Sequence, residues 1–295
     1  MSFQTPEWVE ARDYQQRAVA KWADAGGQGV LEMATGTGKT VTSLLAGAHV
    51  AEQMDGRMAL VIAVPYQHLV DQWAEDVQDF GANPICAYES RRNWQERLEG
   101  ELAEFDLGVR DSLVVITTHV TFASENFQRV LSRVNRDRFM LIADEVHHVG
   151  APHLKQSLPD AVRLRMGLSA TPERFYDDEG TEELFEYFGG IVYKYGLKEA
   201  INNGALCEYY YIPHVVELTE DESEEYLKLS KKIARLISRS GGDLGDAELQ
   251  DNQSLKHALF KRARLIGTAE EKLNRLVELL SYEDHVKHTL VYCGD

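Results

Sequence analysis

The sequence predicts an α/β protein with a mostly parallel sheet held between helices. Short apolar runs recur at residues 29–33, 58–64, 113–116, 139–143 and 166–170. Such runs suit strands that are buried on both faces. Between them lie stretches with apolar residues at helical spacing, and this alternation is the pattern of a parallel sheet covered on two sides. A glycine-rich turn, Gly36-Thr37-Gly38, joins the first run to the helix that follows it.

Residues 13 to 24 place Tyr14, Ala18, Val19 and Trp22 on one stripe, with Asp13 as a candidate N-cap and Gly26-Gly27 as the stop. A strand at 29–33 and a helix from Lys39 to Ala51 follow. Met58 to Val64 is the clearest strand, closed by Pro65. His68 to Phe80 reads as a helix with Leu69, Trp73 and Val77 on one face. Leu113 to Ile116, Met140 to Ile142 and Met166 to Ala170 supply further strands, and this pattern carries the chain to about residue 206.

Beyond that point the texture changes. Glu208 to Leu218 is rich in tyrosine and valine and is expected to be a strand, at an edge because of Pro213. Thr219 and Glu222 form a capping box. The helix it opens carries Tyr226, Leu229, Ile233, Leu236 and Ile237 on one side and Lys228, Lys231, Lys232, Arg235 and Arg239 on another. Gly241-Gly242 breaks it. A second helix is expected over 247–266. Thr268 and Glu271 suggest another capping box, before a helix with Leu273, Leu276, Val277 and Leu280 at core spacing. A last strand, His288 to Cys293, is expected to begin a truncated further domain or to pair with 208–218.

Composition narrows the function classes. The 295 residues carry a formal net charge of −17. That opposes indiscriminate nucleic-acid binding, which is driven by neutralising phosphates, without excluding a local track. The three cysteines, Cys86, Cys207 and Cys293, have no metal-ligand spacing and read as small hydrophobes in a reducing cytoplasm. No apolar run approaches a membrane span, and the polar N-terminus is unlike a signal peptide. His147, His148 and His153 lack the spacing of a zinc site. Glu270-x-Lys272 matches part of a nuclease centre but sits on an expected helix with no aspartate before it. The basic helix face at 228–239 and the cluster Lys256, His257, Lys261, Arg262 and Arg264 could meet phosphates, although such faces are more often solvated.

Two constellations carry chemistry. In Ala34-Thr35-Gly36-Thr37-Gly38-Lys39-Thr40 the glycines let backbone amides turn toward an anion at a helix N-terminus. Lys39 would reach terminal phosphates and the Thr40 hydroxyl would sit on magnesium. The strict G-x-x-x-x-G-K-[ST] pattern has Met33 at its first position. Downstream, Asp144-Glu145 ends an apolar strand. In a phosphate-loop enzyme the first carboxylate holds magnesium and the second polarises the attacking water.

These motifs resemble those of the superfamily 2 helicases. ATGTGKT at 34–40, DEVH at 144–147 and SATP at 169–172 fall in that family's order, and VPYQHLVDQW at 64–73 and RDYQ at 12–15 are similar to two of its further segments. The likeness is to the XPB-like and type I and III restriction-enzyme motor branch, and GLSATPER and LKEAINNGAL add to it. The resemblance implies an N-terminal RecA-like domain that binds ATP and Mg2+. It implies that Gln15 reads adenine and that Thr35, Gly36, Thr37, Gly38, Lys39 and Thr40 hold the phosphates. Catalysis would rest on Glu145, Asp144 and Lys39, with Thr40 and Asp144 on the metal. His147, Ser169 and Thr171 would couple the nucleotide to a nucleic-acid track near Pro65, Tyr66, Gln67, His68, Thr117 and Thr118.

The implied organisation is a RecA-like domain over 1–206, a strand and helical connector over 207–286, and the start of a second RecA-like domain at 287–295. In the family that second domain supplies arginine fingers, so this chain is expected to turn over ATP slowly and not to unwind. The expected partner is nucleic acid, with double-stranded DNA preferred. The alternatives are a duplex-tracking translocase subunit of a restriction or phage-defence system and a nucleotide-binding regulatory module without motor activity.

Overall fold

The computed structural model describes residues 3–148, 158–159, 162–173, 177–239, 253–281, 287 and 289–292. The chain divides into two compact units, 1–208 and 209–295.

The first unit is built on seven strands: β1 (Gln28–Met33), β2 (Met58–Val64), β3 (Ile85–Ala87), β4 (Ser112–Thr118), β5 (Phe139–Ala143), β6 (Leu164–Ser169) and β7 (Ile191–Tyr195). They form one sheet in the order β3-β4-β2-β5-β6-β1-β7. Every pairing is parallel. All the strands therefore end along one edge.

Burial explains why these runs became strands. All seven residues of β2, all seven of β4 and all five of β5 are buried. Along β2 the side chains alternate between two cores, as the two-residue period of a strand requires. Leu60, Ile62 and Val64 pack with Val70, Trp73 and Val77 of the helix α3 (Gln67–Asp79). Ala59, Val61 and Ala63 face Leu98 and Leu102 of α4 (Arg91–Asp106) and Phe127 of α6 (Glu125–Leu131) on the other side. The helices α1 (Asp13–Asp24) and α2 (Lys39–Gln53) cover the first face, and a single turn, α5 (His119–Phe122), follows β4. The first unit also contains α7 (Asp178–Phe188) and α8 (Leu197–Asn202).

Several of these elements were not anticipated. α4 carries Trp94, Leu98, Leu102 and Phe105 at helical spacing, so its signal was present in the sequence. β3 is three residues long, and β7 is an edge strand with one fully buried side chain, Tyr195. β3 lacks the length of an inner strand, and β7 lacks its continuous buried run.

The second unit holds α9 (Glu220–Arg239), α10 (Gln253–Gly267) and α11 (Glu270–Ser281). α9 and α10 pack through Ile233, Leu255 and Ala258. The expected capping box forms: the Thr219 amide donates to Glu222 Oε2 at 2.9 Å, and the Glu222 amide donates to Thr219 Oγ1 at 3.4 Å. Glu222 Oε1 also accepts the Glu270 amide at 3.0 Å, so one carboxylate caps two helix starts.

Four expectations for this unit are corrected. Residues 208–218 form no strand, and Tyr210, Tyr211 and Val215 are exposed. Pro213 cannot donate to a ladder, and no partner strand stands beside the segment among the described residues. Residues 289–292 likewise form no strand. Leu273 and Val277 are exposed rather than part of a core. The Thr268 hydroxyl donates back to the Arg264 carbonyl at 2.9 Å, in place of the expected cap. Residues 247–252, within the expected second helix, and Gly241-Gly242 lie outside the described residues.

Ile62 is fully buried on the central strand β2. Ile62→Ala removes three carbons from a packed layer and is expected to cost about 2–5 kcal/mol. The check is urea denaturation, with a lower midpoint at unchanged slope.

Candidate functional site

The glycine-rich turn closes β1 and opens α2. Gly36 and Gly38 have φ of 83° and 78°, the left-handed region that glycine tolerates. Space is short there as well. A Cβ on Gly36 would lie 3.1 Å from Leu206 Cδ2, and one on Gly38 would lie 3.0 Å from Gln15 Nε2. Gly38 is the N-cap residue of α2, and no side chain caps that end. The first amides of α2 are therefore available to an anion, with the helix dipole behind them.

The other loop residues are accounted for. Thr35 is exposed. Thr37 is buried and donates its hydroxyl to the Ala34 carbonyl at 2.6 Å. Lys39 Nζ donates to the Met33 carbonyl at 3.3 Å, folded back over the loop. Thr40 follows it on the first turn of α2. Gln15 is buried on α1; its Oε1 accepts the Arg12 amide at 3.0 Å and its Nε2 donates to the Gly38 carbonyl at 3.5 Å. A cleft of about 450 Å³ opens here, lined by Trp8, Arg12, Tyr14, Gln15, Gly36, Thr37, Gly38, Val41, Asp76 and Asp79 among others.

The acid pair ends β5, two strand positions from β1 with β6 between. Two strand spacings amount to roughly 10 Å. Asp144 continues the ladder, its amide donating to the Ala63 carbonyl at 2.8 Å. Its carboxylate is buried. Oδ2 accepts from Trp73 Nε1 at 3.2 Å and Oδ1 from the Glu145 amide at 3.0 Å. Burial pushes the Asp144 carboxyl above the usual range and the Glu145 charge adds to this, while the two hydrogen bonds and the charge of Lys39 pull it down. The loop lysine is thus close enough for its charge to act on Asp144. Glu145 has φ of 43°, the left-handed region in a residue with a full side chain. Such strain is held only when the surroundings enforce it.

These residues fit a magnesium-bound triphosphate. Mg2+ takes one or two carboxylate or hydroxyl ligands and completes its shell with phosphates and water. Among the described residues no cluster of three or more ligating side chains offers a closed cage. A cation beside Asp144 would offset the cost of burying its charge.

His147 lies between the acids and β6. Its Nδ1 is 3.0 Å from Ser169 Oγ and 3.6 Å from Glu145 Oε2. Ser169 Oγ in turn accepts the Thr171 amide at 3.1 Å. The three expected coupling residues are thus in one hydrogen-bonded chain. His153 lies outside the described residues.

The expected track residues separate into two groups. Pro65, Tyr66, Gln67 and His68 follow β2, and the last three are exposed, with Tyr66 stacked on His68 at 5.7 Å between centroids. Thr117 and Thr118 end β4 and are buried. The Thr117 hydroxyl donates to the Ala87 carbonyl at 2.7 Å, and Thr118 Oγ1 accepts the Thr121 amide at 3.2 Å. Their hydroxyls are engaged inside the protein.

Three side chains at this edge were not singled out for the site. Trp73 holds Asp144, Tyr14 reaches the loop, and His119 is buried next to β5. Trp73 and Tyr14 carry a sequence signal as apolar helix positions and lie within the family-like segments 64–73 and 12–15. His119 carries none. Burial drops the His119 imidazole to about 4, and its Nε2 has no hydrogen-bond partner among the described residues.

Residues 9–174 match the family described as Type III restriction enzyme, res subunit. The chain belongs to this family. The superfamily 2 resemblance is borne out, and so is the RecA-like α/β fold. A "DNA 3'-5' translocase XPB2" of Sulfurisphaera tokodaii is 31% identical, over 90% of this chain and 52% of its own length. The "Type I restriction enzyme EcoAI endonuclease subunit" of Escherichia coli is 27% identical, over 96% of this chain and 32% of its own. The chain thus spans about half or less of these curated relatives. The helicase domain of Pyrococcus furiosus Hef shares the fold with a TM-score of 0.52 at 16% identity, covering 90% of this chain and 59% of that one.

The histidine gives a pH prediction. Its pKa is below the ordinary 6.5 in the folded state, so the unfolded chain binds the extra proton and stability falls as pH drops from 6.5 toward 4. His119 is expected to account for about 2–3 kcal/mol of that loss. Urea denaturation across this window should show a flatter profile for His119→Gln than for the parent.

Proposed function

We propose that this chain is the ATP-binding domain of an ATP-dependent translocase or helicase acting on DNA. The observation that carries the reading is the meeting of the glycine turn, Lys39 and the Asp144–Glu145 pair at one edge of a parallel sheet, in a chain of this family.

The proposed roles follow the chemistry of the side chains. The amides of Gly36, Thr37 and Gly38 and the start of α2 receive the phosphates, and Lys39 moves from the Met33 carbonyl onto the terminal ones. Thr35 borders the loop. Gln15 reads the adenine within the cleft. Thr40 and Asp144 hold Mg2+, which neutralises phosphate charge when bound. Glu145 accepts a proton from the attacking water. His147, Ser169 and Thr171 pass the state of the nucleotide to the strand ends. There Pro65, Tyr66, Gln67 and His68 face the nucleic-acid backbone, while Thr117 and Thr118 shape the neighbouring strand end.

The finer parts of this reading are proposals of the same kind. The domain divisions at 206 and 286, a second RecA-like domain, a duplex track and slow turnover by these 295 residues alone rest on the family resemblance. Cytoplasmic location rests on the free Cys86 and Cys207. Among the described residues no helix is long and apolar enough to cross a membrane. Tracking along duplex without separating strands is the second reading: one relative is named a DNA translocase and another a restriction-enzyme subunit.

Two substitutions test the site. Lys39→Ala should weaken binding of a fluorescent ATP analogue by more than about tenfold with an unchanged circular dichroism spectrum. Glu145→Gln should bind the analogue normally and release phosphate about 10²–10⁴-fold more slowly. Parent-like affinity in the first or parent-like turnover in the second would refute the assignment. Phosphate release stimulated by duplex DNA more than by single strands, and weakening with added salt, would support the proposed track.

A further inference from the structure

The phosphate loop is braced from outside its own motif. The phenol of Tyr14, on α1, donates to the Thr37 carbonyl at 2.8 Å in a buried hydrogen bond. Its ring lies flat against Tyr195, with centroids 4.2 Å apart and planes 9° from parallel. Tyr195 is fully buried at the end of β7, and its carbonyl accepts the Ala34 amide, at the start of the loop, at 2.9 Å. The start of the loop and its interior at Thr37 are therefore tied to one stacked tyrosine pair.

The tie at Thr37 has a directional consequence. The Thr37 carbonyl and the Gly38 N–H belong to one peptide plane and point in opposite directions when the peptide is trans. The chain has no cis peptide among its described residues. Anchoring the carbonyl on Tyr14 turns the Gly38 N–H away from α1. An anion seated on the side of the turn opposite α1 would meet this N–H. Gly38 has no Cβ to resist this orientation. Without the anchor the plane could rotate, and binding would have to restore it.

We propose that Tyr14 is a positioning residue for the triphosphate: its hydroxyl holds the Thr37–Gly38 peptide in the phosphate-receiving orientation before nucleotide arrives. This rests on the reading of the loop as an ATP site. The hydroxyl acts on the empty loop, so its loss weakens binding and leaves the bound state intact. A buried neutral hydrogen bond contributes about 0.5–1.5 kcal/mol net, which converts to a rise in Kd of roughly two- to twelvefold.

The experiment compares parent, Tyr14→Phe and Tyr195→Phe by titration with ATP and with adenosine. Phenylalanine keeps the ring stack in both variants, and the Tyr195 hydroxyl serves the Asn203 side chain at 3.4 Å rather than the loop. The expected result is a raised Kd for ATP in Tyr14→Phe, with unchanged binding stoichiometry, unchanged adenosine affinity and parent-like behaviour of Tyr195→Phe. In a turnover assay KM should rise at constant kcat. Three results would overturn the proposal. An unchanged Kd for ATP would show that the hydroxyl does not matter. An equal loss for ATP and adenosine would place its contact on the base, since Tyr14 also lines the cleft. A lower stoichiometry at constant Kd would reduce Tyr14 to a fold-maintaining role. Failure of the parent itself to bind ATP would instead remove the loop assignment on which the proposal stands.

Discussion

Parallel pairing throughout the sheet is the constraint from which the site follows. An antiparallel strand would carry its last residues to the opposite edge. Here Met33, Val64, Thr118, Ala143, Ser169 and Tyr195 all end strands on the same side. Ligand sites in open α/β sheets form outside these carboxyl ends. The order of the strands then sets which ends are close. β6 lies between β1 and β5, so the serine that ends it sits between the phosphate loop and the acids. The contact from His147 to Ser169 is a product of that arrangement.

The edge concentrates groups that would be unfavourable elsewhere. A carboxylate is buried at Asp144, an imidazole is buried neutral at His119, and Glu145 holds a left-handed backbone. Each lowers stability locally. They persist because β2, β4 and β5, buried along their whole length, supply apolar burial on both faces of the sheet. The indole of Trp73 shows the two demands meeting in one residue: its ring packs with the core and its N–H steadies Asp144.

Much of this was legible from residue patterns. The inner strands declared themselves as apolar runs because they are buried on both faces. The loop and the acid pair were visible because their residue types have few other uses at those spacings. Legibility failed where stability comes from partners distant in sequence. β3 is short, β7 is little buried, and the two gain their place by pairing with β4 and β1. Tyr209 to Tyr211 have the composition of a strand, yet composition does not supply a neighbour. The periodicity of Leu273 and Val277 likewise marks an apolar helix face without showing what covers it. Thr117 and Thr118 stand at the strand-end edge by their position after an apolar run, but which way a hydroxyl turns depends on acceptors such as Ala87 that no local motif reveals.

The Glu222 carboxylate gives the helical unit an acid-sensitive fastening. Amide donation from Thr219 and then Glu270 holds its pKa below the usual value. The stabilisation is present while the group is ionised and is lost as pH falls through that depressed value. Because the same side chain serves the beginnings of both α9 and α11, a single protonation loosens two helix starts together.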